Sequence, residues 1–384
     1  MYLYEPGNDE GSVEFLKIMF RLENWRHFDY WLFGTATILS IFGIIMIRSA
    51  VAGSIELAGY ANRQTMFVVA GLVVVLATAV LDYHFLGNMA RAMYIFAVVS
   101  LIVIYIYGQA SFGSARWLDT GVFFIQPSEL VKIIMVIVLS DYFSRSQLEK
   151  HDLMWIGKSA ALTFGVVIWI LLQPNLSTSI VITVLWISML WISGLPPKYI
   201  ALFIVLGIVL GLILFPFLES YQQLRIINFL FPDPNSRHGN SYNVEQALIS
   251  IGSGGWFGMG YGHGTQVQLR FLKVRHTDFI FSAMAEEFGF VGTVLVISLL
   301  VFVIYRCFRV AREAQDQFGA LIAYGVGVLL AFQTSVNIGV NLNVIPVTGL
   351  VLPFISYGGS SLLSTVLAIG LVESVALRRK PLDF

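Results

Sequence analysis

Charge and cysteine are what this chain has least of. Among 384 residues only 12% are Asp, Glu, Lys or Arg, and Cys307 is the single cysteine. A soluble domain carries about a quarter charged residues. A chain that is 57% hydrophobic with so few charges cannot hide its apolar surface from water. It reads as a polytopic membrane protein. The lone thiol excludes an intrachain disulfide and a cysteine-based metal site, and it reads as buried and inert. The 23 Lys and Arg equal the 23 Asp and Glu and are scattered through short connections, so no basic face or tail offers itself to nucleic acid. Two further absences matter. No short apolar segment with a small-residue cleavage site precedes the first long apolar run, so no cleaved signal peptide is expected. No internal repeat of the kind that marks many transporters is visible.

What is present is a series of apolar runs long enough to cross a bilayer, which takes about 17–25 residues. Ten are expected, over 31–47, 65–81, 92–107, 128–143, 155–172, 178–193, 199–217, 279–305, 318–340 and 362–376. The fold class is therefore an all-α, ten-helix membrane protein. With the N-terminus in the cytoplasm, the short outer loops hold only Arg48, Arg63 and Arg116, and the remaining short-loop Lys and Arg collect on the inner side. That asymmetry puts both termini in the cytoplasm. The chain divides into an N-terminal cytoplasmic or interfacial segment, 1–30, a transmembrane domain, 31–376, and a cytoplasmic tail, 377–384. One long outer loop, 218–277, separates the seventh and eighth helices; its aromatics and the run "VEQALISIG" argue that it is ordered.

The stretch "RHTDFIFSAMAEEFGFVG" brings three acids to the eighth helix. Asp278 stands at its entrance, where an aspartate commonly caps free amides. Arg270, Lys273, Arg275 and His276 lie just upstream and give a basic patch around that carboxylate. Glu286 and Glu287 fall about 12 and 13.5 Å further along the axis, deep enough that such groups are normally paired or face a cavity. The fourth helix opens with "QPSELVK", in which Glu129 and Lys132 share a face at a spacing that permits an ion pair. Just before it, "SARWLDTG" adds Arg116 and Asp119 at the outer interface, with Trp117 as a belt residue. The run "GSGGWFGMGYGHG" fits no dinucleotide fingerprint and reads as a mobile outer loop, or as backbone that lets amides approach a ligand. The six histidines are dispersed. A metal site is thus restricted to a loosely held divalent cation at Asp278, Mg2+ or Mn2+, completed by substrate phosphates; no organic cofactor motif is present.

The runs "QALISIGSGGWFGMGYGHGTQ", "FLKVRHTDFIFSAMAEEFG", "PVTGLVLPFISYGGSSLLS", "RWLDTGVFFIQPSELVK" and "QPNLSTS" together resemble the shape, elongation, division and sporulation (SEDS) glycosyltransferases, across all ten helices. The "GTQ" and "PVTG" forms are similar to the rod-shape, elongation branch of that family. The resemblance implies polymerisation of lipid II into glycan strands at the outer face of a bacterial cytoplasmic (inner) membrane. It makes Asp278 the catalytic carboxylate and Glu129 and Lys132 functional cavity residues. The wider substrate-binding set is Arg116, Asn175, Arg225, Gln266, His276 and Thr277. Lys273, Val274, Asn175 and Ser177 depart from the forms common in the family, "FLPERHTDF" and "QPDLGTA", and remove an acid at each place. Expected partners are a class B penicillin-binding protein, which is a transpeptidase, the elongation machinery, and membrane lipids. The chemistry fits: a pyrophosphate leaving group needs one base for the acceptor hydroxyl and cations for the departing phosphates. A lipid II flippase is the alternative, drawing on intramembrane Glu129, Lys132 and Glu286.

Overall fold

The structure, a computed structural model, describes residues 24–54, 57, 59–107, 109–111, 114–119, 124–147, 152–232 and 240–379. The segments 1–23 and 380–384, and with them most of the expected cytoplasmic ends, lie outside the described residues. A short 3-10 turn, Asn24–His27, leads into α1 (Tyr30–Ala50), α2 (Tyr60–Val80) and α3 (Tyr83–Tyr107). Three short strands follow: β1 (Gln109–Ser111), β2 (Ser114–Asp119) and β3 (Phe124–Ile125), antiparallel in the order β1-β2-β3. Then come α4 (Pro127–Arg145), α5 (Leu153–Leu172), α6 (Leu176–Ile192) and α7 (Lys198–Leu214). The outer loop builds α8 (Ser220–Leu230), α9 (Asn240–Ser253) and α10 (Thr265–Gln268). The chain closes with α11 (Ile280–Glu313), α12 (Gln317–Asn341) and α13 (Gly359–Leu377).

The helices start where local chemistry starts them. Asp29 accepts from Leu32 N–H at 3.0 Å, Asp152 from Trp155 N–H at 2.9 Å and Asp316 from Gly319 N–H at 3.2 Å, each satisfying an amide that a helix start leaves free. Pro127 occupies the first turn of α4, where its missing N–H costs nothing. Among the described residues, seven helices are long and apolar enough to cross a membrane: α1, α2, α3, α5, α11, α12 and α13. The other three expected spans are also helical. However, α6 and α7 have only 17 residues each, and α4 carries Glu129, Lys132, Asp141 and Arg145.

α4 tolerates those charges because it is the axle of the bundle. Every residue from Val131 to Ser140 is buried, so Glu129 and Lys132 meet other helices, while Asp141 and Arg145 pair with each other at the helix end. α12 and α13 are mostly buried as well, whereas α2 and α3 present most of their surface outward. α7 stands furthest out, with no buried residue described between Ala201 and Leu214. The end of the bundle opposite Asp278 is tied by a buried ion pair: Arg306 of α11 reaches Asp29 at 2.5 Å, and Asp29 N–H donates to Glu373 of α13 at 2.9 Å. Cys307 sits beside this cluster, buried and without a bridge.

α11 corrects two expectations at once. Its 34 residues would run about 51 Å, well beyond the roughly 30 Å of a hydrocarbon core, but it is not one straight rod. At Gly289 the backbone turns to φ 67°, ψ −166°. There the helix loses the bonds that Phe290 and Val291 would make to Glu286 and Glu287, and the glycine-rich loop replaces them. Phe290 N–H donates to Gly255 O at 2.8 Å and Val291 N–H to Trp256 O at 3.0 Å; Met259 N–H and Gly260 N–H donate to Glu286 O and Glu287 O at 2.9 and 3.0 Å. The loop is therefore docked on α11 and not a free outer segment, with two of its amides and two of its carbonyls spent on the kink. Glu286 and Glu287 are buried and paired, as acids at that depth are expected to be, closing on loop and neighbour atoms above the kink. Glu286 caps α10, accepting from Gln266 N–H at 2.8 Å, Val267 N–H at 3.3 Å and the Thr265 hydroxyl at 3.2 Å. Glu287 accepts from the Ser49 hydroxyl of α1.

Close backbone approach explains Gly254, Gly258 and Gly289. A Cβ on Gly258 would lie 2.2 Å from Glu287 O, at a φ of +81° that side chains rarely adopt. Gly258→Ala should cost about 2–4 kcal/mol of stability. Gly252→Ala, whose Cβ meets no atom within 4 Å, should shift stability by less than about 0.5 kcal/mol. Thermal unfolding of the two variants in detergent checks the difference.

Candidate active site

Asp278 does not cap α11. The cap position is Phe279, without a side-chain bond, and the free first-turn amide of Ser282 is satisfied from across the bundle by Asn341 Oδ1 at 3.1 Å. That exchange frees the Asp278 carboxylate. Its backbone is fixed instead: Asn337 and Asn341 of α12 both donate to Asp278 O, at 3.1 and 2.9 Å. The preceding residues are pinned by the 350–357 segment, where Ser356 Oγ donates to Thr277 O at 2.8 Å and Tyr357 N–H to His276 O at 2.9 Å. A carboxylate held through its own main chain from two sides keeps its side chain available.

That side chain opens into a cleft of about 240 Å³, whose lining includes Gln126, Glu129, Asn175, Ser177, Arg225, Thr277, Gln333, Thr348, Gly349 and Tyr357. Gly349, at φ +80°, stands directly opposite: a Cβ there would be 3.9 Å from both Asp278 Oδ2 and Arg225 Nη1. Arg225, on α8, is anchored by Nη1 donating to Thr348 O at 3.2 Å, and its Nε is buried without a partner. Burial among protein atoms lifts the Asp278 carboxyl to about 6, against the pull of the Arg225 guanidinium and the Thr277 hydroxyl. The residue remains partly open to the cleft. It is thus a carboxylate that holds and releases a proton near neutrality, with a guanidinium beside it.

Two apolar cavities adjoin this cleft, and Arg225 lines all three. One, of about 220 Å³, runs between Pro174, Ile180, Ile226 and Ile345; the other, of about 320 Å³, lies between α8 and α9 against Val347. Below the cleft Lys132 Nζ pairs with Glu129 Oε2 at 2.9 Å, and Ser364 Oγ approaches the same oxygen at 3.4 Å. Asn175 caps α6, accepting from Thr178 N–H at 3.3 Å, and also lines the cleft.

Glu129, Asn175, Arg225 and Thr277 are thus gathered around Asp278, and Lys132 is held to Glu129. His276 is not at the cleft surface. It packs against the rings of Tyr60 and Tyr357 at 5.5 and 6.1 Å, and burial, with Arg275 adjacent, pushes its pKa down to about 4, so it is neutral. Gln266 lies beneath Glu286, 20 residues upstream, and does not line the cleft. Arg116 lies in β2, its side chain outside the described residues. The basic patch just before Asp278 is also redistributed. Arg275 donates to Ala50 O at 2.5 Å and Arg270 to Gly53 O, both toward the end of α1.

A model of the FtsW/RodA/SpoVE family, described as cell cycle proteins, matches residues 29–381. The chain belongs to this family. The probable peptidoglycan glycosyltransferase FtsW of Hydrogenovibrio crunogenus is 36% identical over 376 residues, covering 94% of this chain and 95% of the relative. The peptidoglycan glycosyltransferase MrdB of Escherichia coli K12 is 35% identical, covering 90% of this chain and 92% of the relative. Among solved structures, a peptidoglycan synthase complex that coordinates polymerization and crosslinking superposes with a TM-score of 0.78 at 28% identity, covering 91% of this chain and 97% of its counterpart. The rod shape determining protein RodA of Thermus thermophilus gives 0.70 at 27% identity, covering 93% and 99%.

For this member of the family, sequence reasoning missed Gln333, Asn337, Asn341 and the Thr348–Gly349 backbone. Gln333, Asn337 and Asn341 are recognisable afterwards as amides at four-residue spacing within the apolar run of α12, one face of one helix. Because Arg225 lowers the Asp278 pKa, its removal should raise it. Arg225→Gln is expected to move the Asp278 carboxyl upward from about 6, read as the pH dependence of its protonated-carboxyl infrared band against Asp278→Asn.

Proposed function

We propose that the protein is a peptidoglycan glycosyltransferase of the rod-shape, elongation (RodA) branch, polymerising lipid II with inversion at the outer face of the bacterial cytoplasmic membrane. The observation that carries this reading is the Asp278 carboxylate, lifted toward neutrality and opening into a cleft beside Arg225. The names of the relatives in both the FtsW and MrdB branches support the activity, and the "GTQ" and "PVTG" forms support the elongation branch. In this reading ten helices cross the membrane, including α4, α6 and α7, and both termini are cytoplasmic.

Asp278 accepts the proton of the acceptor sugar's 4-hydroxyl as that oxygen bonds to the anomeric carbon of the donor. The bond from that carbon to phosphate breaks, and polyprenyl pyrophosphate departs with the electron pair. No enzyme nucleophile is needed, so a second catalytic carboxylate is not required. Arg225 offsets the charge developing on the leaving phosphate, a task suited to a preorganised guanidinium. The apolar cavity along Ile180, Ile226 and Ile345 suits a prenyl chain. Asp278 and Glu129 are the carboxylates of the cleft, and Glu129 is engaged by Lys132. Among the described residues there is therefore no ready-made cage for Mg2+ or Mn2+. A cation would have to arrive with the pyrophosphate, and no step here runs through one. A class B penicillin-binding protein is the proposed partner, supported by the synthase complex to which the fold is similar, together with the elongation machinery.

The test is polymer formation from lipid II by the purified protein, with and without that partner. Asp278→Asn should fold as the parent does and lose at least about 100-fold in rate; full activity would remove Asp278 from the mechanism. A base must be deprotonated to act, and this one titrates near 6. The rate of the parent protein should therefore be flat above about pH 7 and fall about tenfold per unit below 6. Lipid II crossing liposome membranes in a Glu129-dependent manner with no polymer would instead favour a flippase.

A further inference from the structure

A cavity that shares no residue with the Asp278 cleft lies between the end of α1 and the start of α2. It measures about 640 Å³ and is walled by Ile44, Arg48, Val51, Ala61, Asn62 and Thr65, with backbone from 52–54. It is at the same end of the bundle as Asp278, since neighbouring Ser49 and Ala50 bond to Glu287 and Arg275. Among the described residues of its lining Arg48 is the only ionisable one. Its side chain is exposed and makes no hydrogen bond or ion pair with a described residue. Arg270 adds a second guanidinium at the rim through Gly53 O. Among the described residues no carboxylate faces the pair from the cavity wall. Glu287, buried and bonded to the Ser49 hydroxyl at this end of α1, is turned inward.

Beneath the cavity the two helices carry an apolar strip. Ile41 and Ile45 on α1, and Met66, Val69 and Val73 on α2, expose from 41% to 68% of their surface, and both helices are long and apolar enough to span a membrane. A cationic mouth above an exposed apolar strip is complementary to a molecule with an anionic head and hydrocarbon tails. Guanidinium matches phosphate oxygens in geometry. A zwitterionic headgroup would also bring an ammonium group, and no described residue of the wall is a carboxylate that would receive it.

We propose that this groove binds the phosphate headgroup of a net-anionic phospholipid, with Arg48 and Arg270 on the phosphate and the acyl chains along the α1–α2 strip. The site is separate from the catalytic reading and does not depend on it.

Native mass spectrometry of the full-length protein, released from detergent supplemented with phosphatidylglycerol, phosphatidylcholine or inorganic phosphate, tests this. The parent should retain phosphatidylglycerol in preference to phosphatidylcholine. Arg48→Gln should weaken that retention about fivefold, the weight of one basic side chain at an anionic lipid surface. Arg270→Gln should weaken it similarly, and Arg91→Gln, an exposed arginine on α3, should not. Equal retention by Arg48→Gln and the parent, equal retention of phosphatidylcholine, or equal loss in Arg91→Gln would overturn the proposal. Thermal stabilisation by inorganic phosphate matching that by phosphatidylglycerol would assign the groove to a free anion and overturn the lipid assignment.

Discussion

Two hydrogen bonds given up by α11 at Gly289 and supplied again by the glycine-rich loop are the constraint on which the outer half of this protein rests. A helix that breaks inside a membrane protein must satisfy the freed amides and carbonyls, because water is not there to do so. Here the loop between α9 and α10 matches the gap donor for acceptor. The half-helix 280–288 is thereby held at a fixed angle to the spanning half. Glu286, at its inner end, in turn caps α10 and locks the loop that locks it. The acids of this segment divide into two buried ones that build and one at the tip that is left chemically free.

The tip is held by economy of a different kind. Asp278 has its carbonyl bound twice by α12 and its preceding residues pinned by the 350–357 segment, so its carboxylate is not needed for structure. A structural aspartate would be saturated with amide donors and strongly acidic; this one is lifted by burial. Arg225 tempers the lift from the far wall. It comes from α8, an amphipathic helix of the outer loop that exposes Leu224, Ile227 and Leu230, and it joins the polar cleft to two apolar cavities. Any displacement of α8 therefore changes both the charge at Asp278 and the shape of the adjoining cavities.

The opposite end is fastened by different means. Arg306 and Asp29 bring an ion pair into a buried junction of α1, α11 and α13, where Glu373 accepts from the Asp29 amide. Removing one member of such a cluster strands the others in low dielectric, so the cluster acts as a register pin between the first and last helices. The end that carries Asp278 is left open as a cleft, and the opposite end is closed.

The helical nature of the chain and most ends of its long helices were legible in the sequence, because hydrophobic runs are a local property. The starts of α2 and α3, at 60 and 83 instead of 65 and 92, and the end of α11, at 313 instead of 305, were not, because those turns carry polar residues. The ion pair of Glu129 and Lys132 was legible because it too is local, its members being three residues apart on one helix. Tertiary structure alone decided what the charges do. The basic residues adjacent to Asp278 in sequence turn toward α1, while its neighbouring cation, Arg225, arrives from about fifty residues upstream. The small β-sheet before α4 and the burial of α4 on every side also have no local signature. Above all, the glycine-rich run could be read as a mobile loop or a ligand cradle until its partner was known. Which backbone a glycine admits is set by what approaches it in space, and here that is the broken helix.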